Sequence, residues 1–299
     1  LKNYRTGLIF GVSAYGLWGL FPLYWPLLEP ANPVEIVAHR AIWTLVFCTI
    51  VLLFKHQLKQ TLLLLKNKKV FWYLVLATVL ISINWLTYIW AANNGHVVES
   101  ALGYYINPLI VIASGTIIYH EKLRKLQIYS IAVATIGVIV LTIDNGRLPW
   151  IALTLAFSWG FYGVVKKHLQ LGSLESLTIE TLIAFLPYFI YLVWLGLHSK
   201  GHFGTHPKVT VLLTLAGVVT AIPLLFFNGA ATRLPLSVTG LLQYLNPTIQ
   251  FMIGVLVRHE KMSSGRWIGF FIIWISLFFL AADITKSSRS IDYTLSEVD

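Results

Sequence analysis

The stretch Ala101–Leu123, ALGYYINPLIVIASGTIIYHEKL, has an echo at Val238–Met262, VTGLLQYLNPTIQFMIGVLVRHEKM. In each copy a tyrosine, an aliphatic residue and an Asn-Pro pair interrupt an apolar run. Tyr105-Ile106-Asn107-Pro108 is followed by His120-Glu121-Lys122, and Tyr244-Leu245-Asn246-Pro247 by His259-Glu260-Lys261. Asn107 precedes Glu121 by 14 residues, as Asn246 precedes Glu260, and the copies lie 139 apart in a chain of 299. Such an offset reads as two homologous halves.

Proline inside an apolar helix removes one backbone N–H and clashes with the carbonyl four residues back. In lipid that defect survives only where protein or a water-filled cavity satisfies the freed carbonyl. Two such helices at equivalent places in two halves point to the central site of a transporter. The competing reading of Asn107-Pro108 and Asn246-Pro247 is a structural kink, each Asn bonding its own backbone.

Composition places the chain in a membrane. It is 57% hydrophobic and 11% charged, with a mean hydropathy of +0.74, whereas soluble domains carry about 25% charged residues. A net charge of +10 would suggest nucleic acid in a soluble protein. Here the basic residues lie between apolar runs, where they set orientation, so no nucleic-acid partner is expected. The single cysteine, Cys48, excludes a disulfide framework and a cysteine metal site. The first apolar run lacks a small-residue cleavage site and reads as a span, not a cleaved signal peptide.

Ten spans are expected, roughly 7–28, 34–54, 70–92, 97–119, 126–143, 148–166, 177–197, 208–228, 235–257 and 266–282. Most approach the ~20 residues a helix needs to cross a bilayer core. The predicted fold is an all-α integral membrane protein. Residues 1–145 form a first five-helix repeat, 146–285 a second, and 286–299 a polar, mobile cytoplasmic tail. With the N-terminus inside, fifteen Lys and Arg fall on the cytoplasmic side. Six fall outside (Arg147, Lys200, Lys208, Arg258, Lys261, Arg266), and Arg40 lies within a span. The bias puts both termini in the cytoplasm. Five spans per half is an odd number, so the second half is inverted, the architecture of a secondary transporter.

Ionisable residues within spans are functional candidates by default. Arg40, beside His39, lies about two turns into the second span. A pairing with Glu99 or Glu35 at the outer side would make a gate or an entry site for an anionic group. A static ion pair is the alternative. Glu180 is expected to meet Lys166, Lys167 or Arg233 at the inner side, and is the candidate carboxylate for a coupling proton. The uncharged candidates are Trp18, Asn84, Trp85, Tyr88, Tyr104, Asn107, Tyr162 and Gln243. Asn84 and Tyr88 share a helix face by their spacing of four. At mid-depth such a set suits an aromatic cavity with a few hydrogen-bonding groups, although each ring taken singly is explained by packing.

Catalytic and metal readings find little support. His120-Glu121 begins like the metalloprotease H-E-x-x-H, but Arg124 and, in the echo, Ser263 stand where the second histidine belongs. His198, His202 and His206 recur every four residues, but Gly201, Gly204 and Pro207 break the helix a zinc face needs. No metal, cofactor or enzymatic activity is expected.

Trp18-Gly19, His39-Arg40, Asn84-Trp85, ALGYYINPL and GLLQYLNPT with its trailing Glu260 resemble the drug/metabolite transporter superfamily. Within it they are most similar to EamA-type permeases of the RarD-like branch. The resemblance covers about residues 5–283. It implies a multi-pass transporter of the bacterial inner membrane, with a central cavity and alternating access. The expected cargo is a small amphiphilic solute such as an amino acid or related metabolite, moved outward. A broad-specificity drug pump and a passive facilitator are the rivals.

Overall fold

The structure, a computed structural model, describes residues 2–120, 123–234 and 236–296; Glu121 and Lys122 of the first His-Glu-Lys lie outside it. The described residues contain helices and no strand. In chain order they are α1 (Lys2–Gly19), α2 (Phe21–Tyr24), a 3-10 turn (Trp25–Leu28), α3 (Pro33–Phe54), α4 (Leu58–Leu63), a second 3-10 turn (Leu64–Lys66), α5 (Lys68–Asn93), α6 (Val97–Tyr119), α7 (Lys125–Asn145), α8 (Trp150–Leu169), α9 (Ser173–Leu197), α10 (Pro207–Ala231), α11 (Leu236–Leu242), α12 (Leu245–Met252), a π-helical turn (Ile253–Val257) and α13 (Ser264–Ser296).

Local chemistry starts and stops these helices. Asn32 accepts from the Glu35 amide at 2.9 Å, ahead of Pro33 at the first helical position of α3. Asn67 caps α5 through the Lys69 and Val70 amides. Gly146 ends α7 in the left-handed region at φ 65°.

Eight helical segments are long and apolar enough to cross a membrane. The count is nine if Tyr4–Gly19 and Phe21–Leu28, bent by 40° at their break, form one span. The run expected at 148–166 falls on α8, which is not among the eight: Thr154, Ser158, Lys166 and Lys167 dilute its apolar content. α13 carries helix past Lys286 to Ser296, into the stretch expected to be a mobile tail.

The two Asn-Pro helices differ. α6 runs continuously through Pro108. Its echo breaks at Gln243-Tyr244 between α11 and α12, then passes into the π-helical turn.

α1 packs on α10 and α5 on α8, α6 packs on α8 and α1 on α12, while α3 meets α9 and α7 meets α13. Glycine permits the closest of these approaches. A Cβ on Gly217 of α10 would lie 2.2 Å from the Trp43 carbonyl carbon of α3, and one on Gly103 of α6 would lie 2.7 Å from the Ala152 oxygen of α8. One buried cluster joins α3, α5, α8, α9 and α10 around Trp25, Ile36, Trp85 and Leu213. A second joins α6, α7, α8, α12 and α13 around Tyr105, Phe251 and Phe270.

Candidate functional site

Arg40 sits two turns into α3, only 4% exposed. Its guanidinium carbon lies 3.9 Å from the centre of the Trp85 ring of α5, 4.8 Å from that of Trp25 and 5.6 Å from that of Phe21. The kinked stretch after α1 delivers Phe21 and Trp25, and the long α5 delivers Trp85. Nε donates to the Thr220 hydroxyl of α10 at 2.8 Å, and that hydroxyl donates to the Ala216 carbonyl. One terminal nitrogen, Nη1, is buried without a hydrogen-bond partner.

Neither Glu35 nor Glu99 reaches Arg40, against expectation. Glu35, fully buried, accepts from the His202 amide at 2.6 Å and faces its Nδ1 at 2.9 Å. Glu99 accepts from the Ile151 amide at 3.2 Å and faces Arg147 at 3.7 Å, so it ties α6 to the start of α8. Among the described residues no carboxylate pairs with Arg40. An unpaired buried cation costs several kcal/mol. Three ring faces offset part of this, at ~2 kcal/mol for a desolvated cation–π contact. The hydroxyl of Tyr88 and the indole nitrogen of Trp25 are also buried without partners. The cage therefore offers unspent donors and a positive charge, and holds no anionic acceptor among the described residues.

From the cage a series of rings leads across the bundle. Tyr88 meets Tyr104 at 5.7 Å between centroids, Tyr104 meets Trp159 at 6.4 Å, and Trp159 meets Tyr162 at 5.5 Å. Asn84 holds the near end. It accepts from the Tyr104 hydroxyl at 3.1 Å and donates to the Leu155 carbonyl at 3.2 Å and to Ser158 Oγ at 3.1 Å. Its amide is thus engaged between α6 and α8, with both oxygen and nitrogen hydrogen-bonded.

The far end is Glu180 of α9, 1% exposed. Oε2 accepts from the Tyr162 hydroxyl at 2.9 Å, and Oε1 accepts from Lys166 Nζ at 2.9 Å and from Ser176 Oγ at 2.6 Å. Lys166 also donates to Ser176. Of the three expected partners, Lys166 supplies the contact.

Arg40, Asn84, Trp85, Tyr88, Tyr104, Tyr162 and Glu180 thus form one connected series. The other candidates lie outside its contacts. His39 stacks on Phe203 at 4.7 Å. Trp18 meets Tyr15 and Phe227. Asn107 Oδ1 is buried without a partner, 3.3 Å from where a Cβ on Gly160 would sit. Gln243 lies half-buried in the break before α12. Asn246 turns inward on its own helix, accepting from Gln250 at 2.7 Å. The described residues contain no group of three or more potential metal ligands.

Sequence reasoning missed Phe21, Trp25 and Thr220. The signal was present in Phe21-Pro22-Leu23-Tyr24-Trp25-Pro26, where two prolines stop α1 from continuing as a lipid-facing helix. It also gave no role to Glu260, whose carboxylate caps α6 through the amides of Val97 at 2.6 Å and Val98 at 2.9 Å.

Comparison with known proteins agrees with this architecture. The profile of the EamA-like transporter family matches residues 5–143 and 148–282. Protein RarD of Streptomyces exfoliatus is 48% identical over 95% of this chain and 91% of its own length. The uncharacterized transporter YojE of Bacillus subtilis is 43% identical over 96% and 97%. Protein RarD of Escherichia coli is 37% identical over 96% and 98%. A solved crystal structure at 16% identity superposes with a TM-score of 0.62 over 95% of this chain and 98% of that one, a likeness of fold. The chain is a membrane protein with many spans and belongs to the EamA-like transporter family.

Proposed function

We propose that the protein is a secondary active transporter of the bacterial inner membrane. Its cargo is a small amphiphilic solute that carries an anionic group, such as an amino acid or related metabolite, moved outward. One observation carries the reading: Arg40 is buried, faces three aromatic rings and has no carboxylate partner among the described residues. A cation held in that state has its geometry fixed and its charge unspent, which favours a carboxylate arriving with the solute. The aromatic series from Tyr88 to Tyr162 suits the apolar remainder of such a solute.

Alternating access between two inverted five-span halves, divided near residue 145, is supported by the pattern of packing. Under a shift of about 139 residues, the contact of α1 with α10 maps onto that of α8 with α5. The contact of α6 with α8 maps onto that of α12 with α1. The α3–α9 and α7–α13 pairs map onto themselves. A pseudo-twofold axis produces this reciprocity, and an odd number of spans per half would lay that axis in the membrane plane. In this reading α8 is a span sheltered between α5 and α6, and both termini are cytoplasmic. Glu180, with Lys166 and Tyr162, is the candidate carrier of a coupling proton.

The test is counterflow in proteoliposomes made with the full chain. A panel of amino acids is compared with their carboxamides, which keep the side chain and the ammonium group and lose the carboxylate charge. Saturable exchange of the acids, with weak exchange of the amides, is expected. Equal exchange of both rules out the anionic-solute reading, and flux linear in concentration favours a facilitator.

A further inference from the structure

The end of α3 and the turn that follows it hold a groove that the transport series does not touch. α3 ends at Phe54, and His56 adopts the left-handed region at φ 54°, turning the chain into α4. Leu58 packs on the buried core and Thr61 is buried, so these two positions fix the inner face of α4. The opposite face is open. A groove of about 530 Å³ lies between the two segments, with Leu53, His56, Lys59, Leu62, Leu63 and Lys66 along it.

This groove has two chemistries side by side. Leu53, Leu62 and Leu63 are 55%, 41% and 47% exposed, and the neighbouring Phe54 is 82% exposed. That is an apolar surface at the end of a membrane helix. Lys59 and Lys66 stand in the groove itself, and Lys55, Lys68 and Lys69 are near neighbours of its residues in sequence. No Asp or Glu occurs in the sequence between Glu35 and Glu99. No ion pair among the described residues involves any of the five lysines. A soluble partner peptide would bury the lysines but leave no reason for the leucines to border the bilayer. A neutral lipid would use the leucines and leave the charge unmatched.

We propose that this groove seats an anionic phospholipid. Its phosphate lies between Lys59 and Lys66, with His56 as a further donor, and its acyl chains run along Leu53, Leu62 and Leu63. Basic clusters at the boundary of a membrane helix attract anionic headgroups, and a pocket between two elements adds shape to that attraction. Long lysine stems lie along apolar surface while their ammonium groups reach the headgroup level. The site is independent of the cargo of the transporter and of which face of the membrane α4 occupies.

The experiment is native mass spectrometry of the full chain released from mild detergent. It is titrated with phosphatidylglycerol and, separately, with phosphatidylcholine of the same acyl chains. The wild type is expected to retain one phosphatidylglycerol through a delipidation series that removes phosphatidylcholine. The Lys59→Gln/Lys66→Gln variant is expected to lose that preference by about tenfold, since each lysine near an anionic surface contributes a several-fold gain. A Lys200→Gln/Lys208→Gln variant, equal in charge removed, is expected to keep it. Equal retention of both lipids by the wild type overturns the proposal without reference to any variant. So does a preference unchanged by Lys59→Gln/Lys66→Gln, or lost equally in both variants.

Discussion

The guanidinium carbon of Arg40 lies 3.9 Å from the centre of the Trp85 indole ring, while no acidic side chain among the described residues pairs with it. Most buried arginines answer a carboxylate. This one answers π-faces and a threonine, an arrangement that costs stability in the empty protein. Arg40→Leu is therefore expected to leave the melting temperature unchanged or raise it, because replacing an uncompensated buried charge by an apolar group is often neutral or favourable. The same variant should lower transport of an acidic or zwitterionic solute by ~10-fold or more, the loss of a charge-assisted bond. Arg40→Lys should rescue little, since an ammonium cannot stack as a plane. Thermal unfolding and counterflow on the same preparations check both halves of the statement. A large fall in melting temperature for Arg40→Leu would make the residue a structural one.

Lys166 and Glu180 should respond unequally to loss of the other. Glu180 is 1% exposed at its side chain and Lys166 20%. Lys166→Met strands a carboxylate in the interior and is expected to cost ~3 kcal/mol, within the range for breaking a buried pair. Glu180→Gln keeps the bonds from Tyr162 and Ser176 and leaves a lysine able to turn toward water, so a cost of ~1 kcal/mol is expected. Combining both changes should recover part of the loss. Denaturant unfolding of the two single variants and the double variant closes the cycle.

Gly217→Ala places a methyl group 2.2 Å from the Trp43 carbonyl carbon, a backbone atom that cannot swing aside. α10 must then move away from α3, and Thr220 with it, so a loss of ~1–3 kcal/mol is expected. Gly163→Ala in α8 meets nothing within 4 Å. It should instead gain up to ~1 kcal/mol from helix propensity. A thermal-shift comparison of the pair separates close packing from any general intolerance of substitution.

Asn84→Ala is expected to destabilise by ~1–3 kcal/mol, because it leaves the Tyr104 hydroxyl without its acceptor inside the bundle and opens a gap beside Ser158. Its transport defect should be accompanied by a lower melting temperature. A defect with an unaltered melting temperature would return Asn84 to the role of a direct contact.

Glu260→Ala is expected to cost ~1–2 kcal/mol, the value of a helix cap reinforced by charge. Hydrogen exchange at the amides of Val97 and Val98 should quicken well beyond that elsewhere in α6. Unchanged protection at those two positions would show that the cap is dispensable.

Much of this organisation could be read from the chain. Apolar runs of helical length mark the spans, because lipid leaves the backbone few alternatives, and Asn32-Pro33 and Asn67 announce the starts of α3 and α5. The spacing of Asn84 and Tyr88 placed them together correctly. Lys166 meeting Glu180 was legible from the short loop between α8 and α9, which returns Glu180 close to the end of α8. The prolines around Trp25 mark that stretch as a break in the helix, but its meeting with Arg40 was not legible. Trp25, Trp85 and Thr220 come from three segments whose mutual rotation depends on packing among all the helices, which local periodicity does not encode. The same limit hid the destinations of Glu35 and Glu99. Each lies in the first turn of its helix, and each looked available to Arg40 until His202 and Arg147 were seen to claim them. The run at 148–166 was expected to be a span like the others, and α8 is less apolar than the eight partly because its packed side holds polar groups such as Ser158, which accepts from Asn84 of α5.

Glu260 holds the first turn of α6 from a point 163 residues later in the chain than Val97. A ribosome therefore delivers α6 long before it delivers the group that closes that helix. Through the synthesis of α7 to α12, those two amides have no bond from Glu260. The start of α6 is completed only as the last long helix, α13, begins to emerge. A chain halted before that point would carry all of α6 and still present its opening turn to any factor that surveys unfinished membrane proteins.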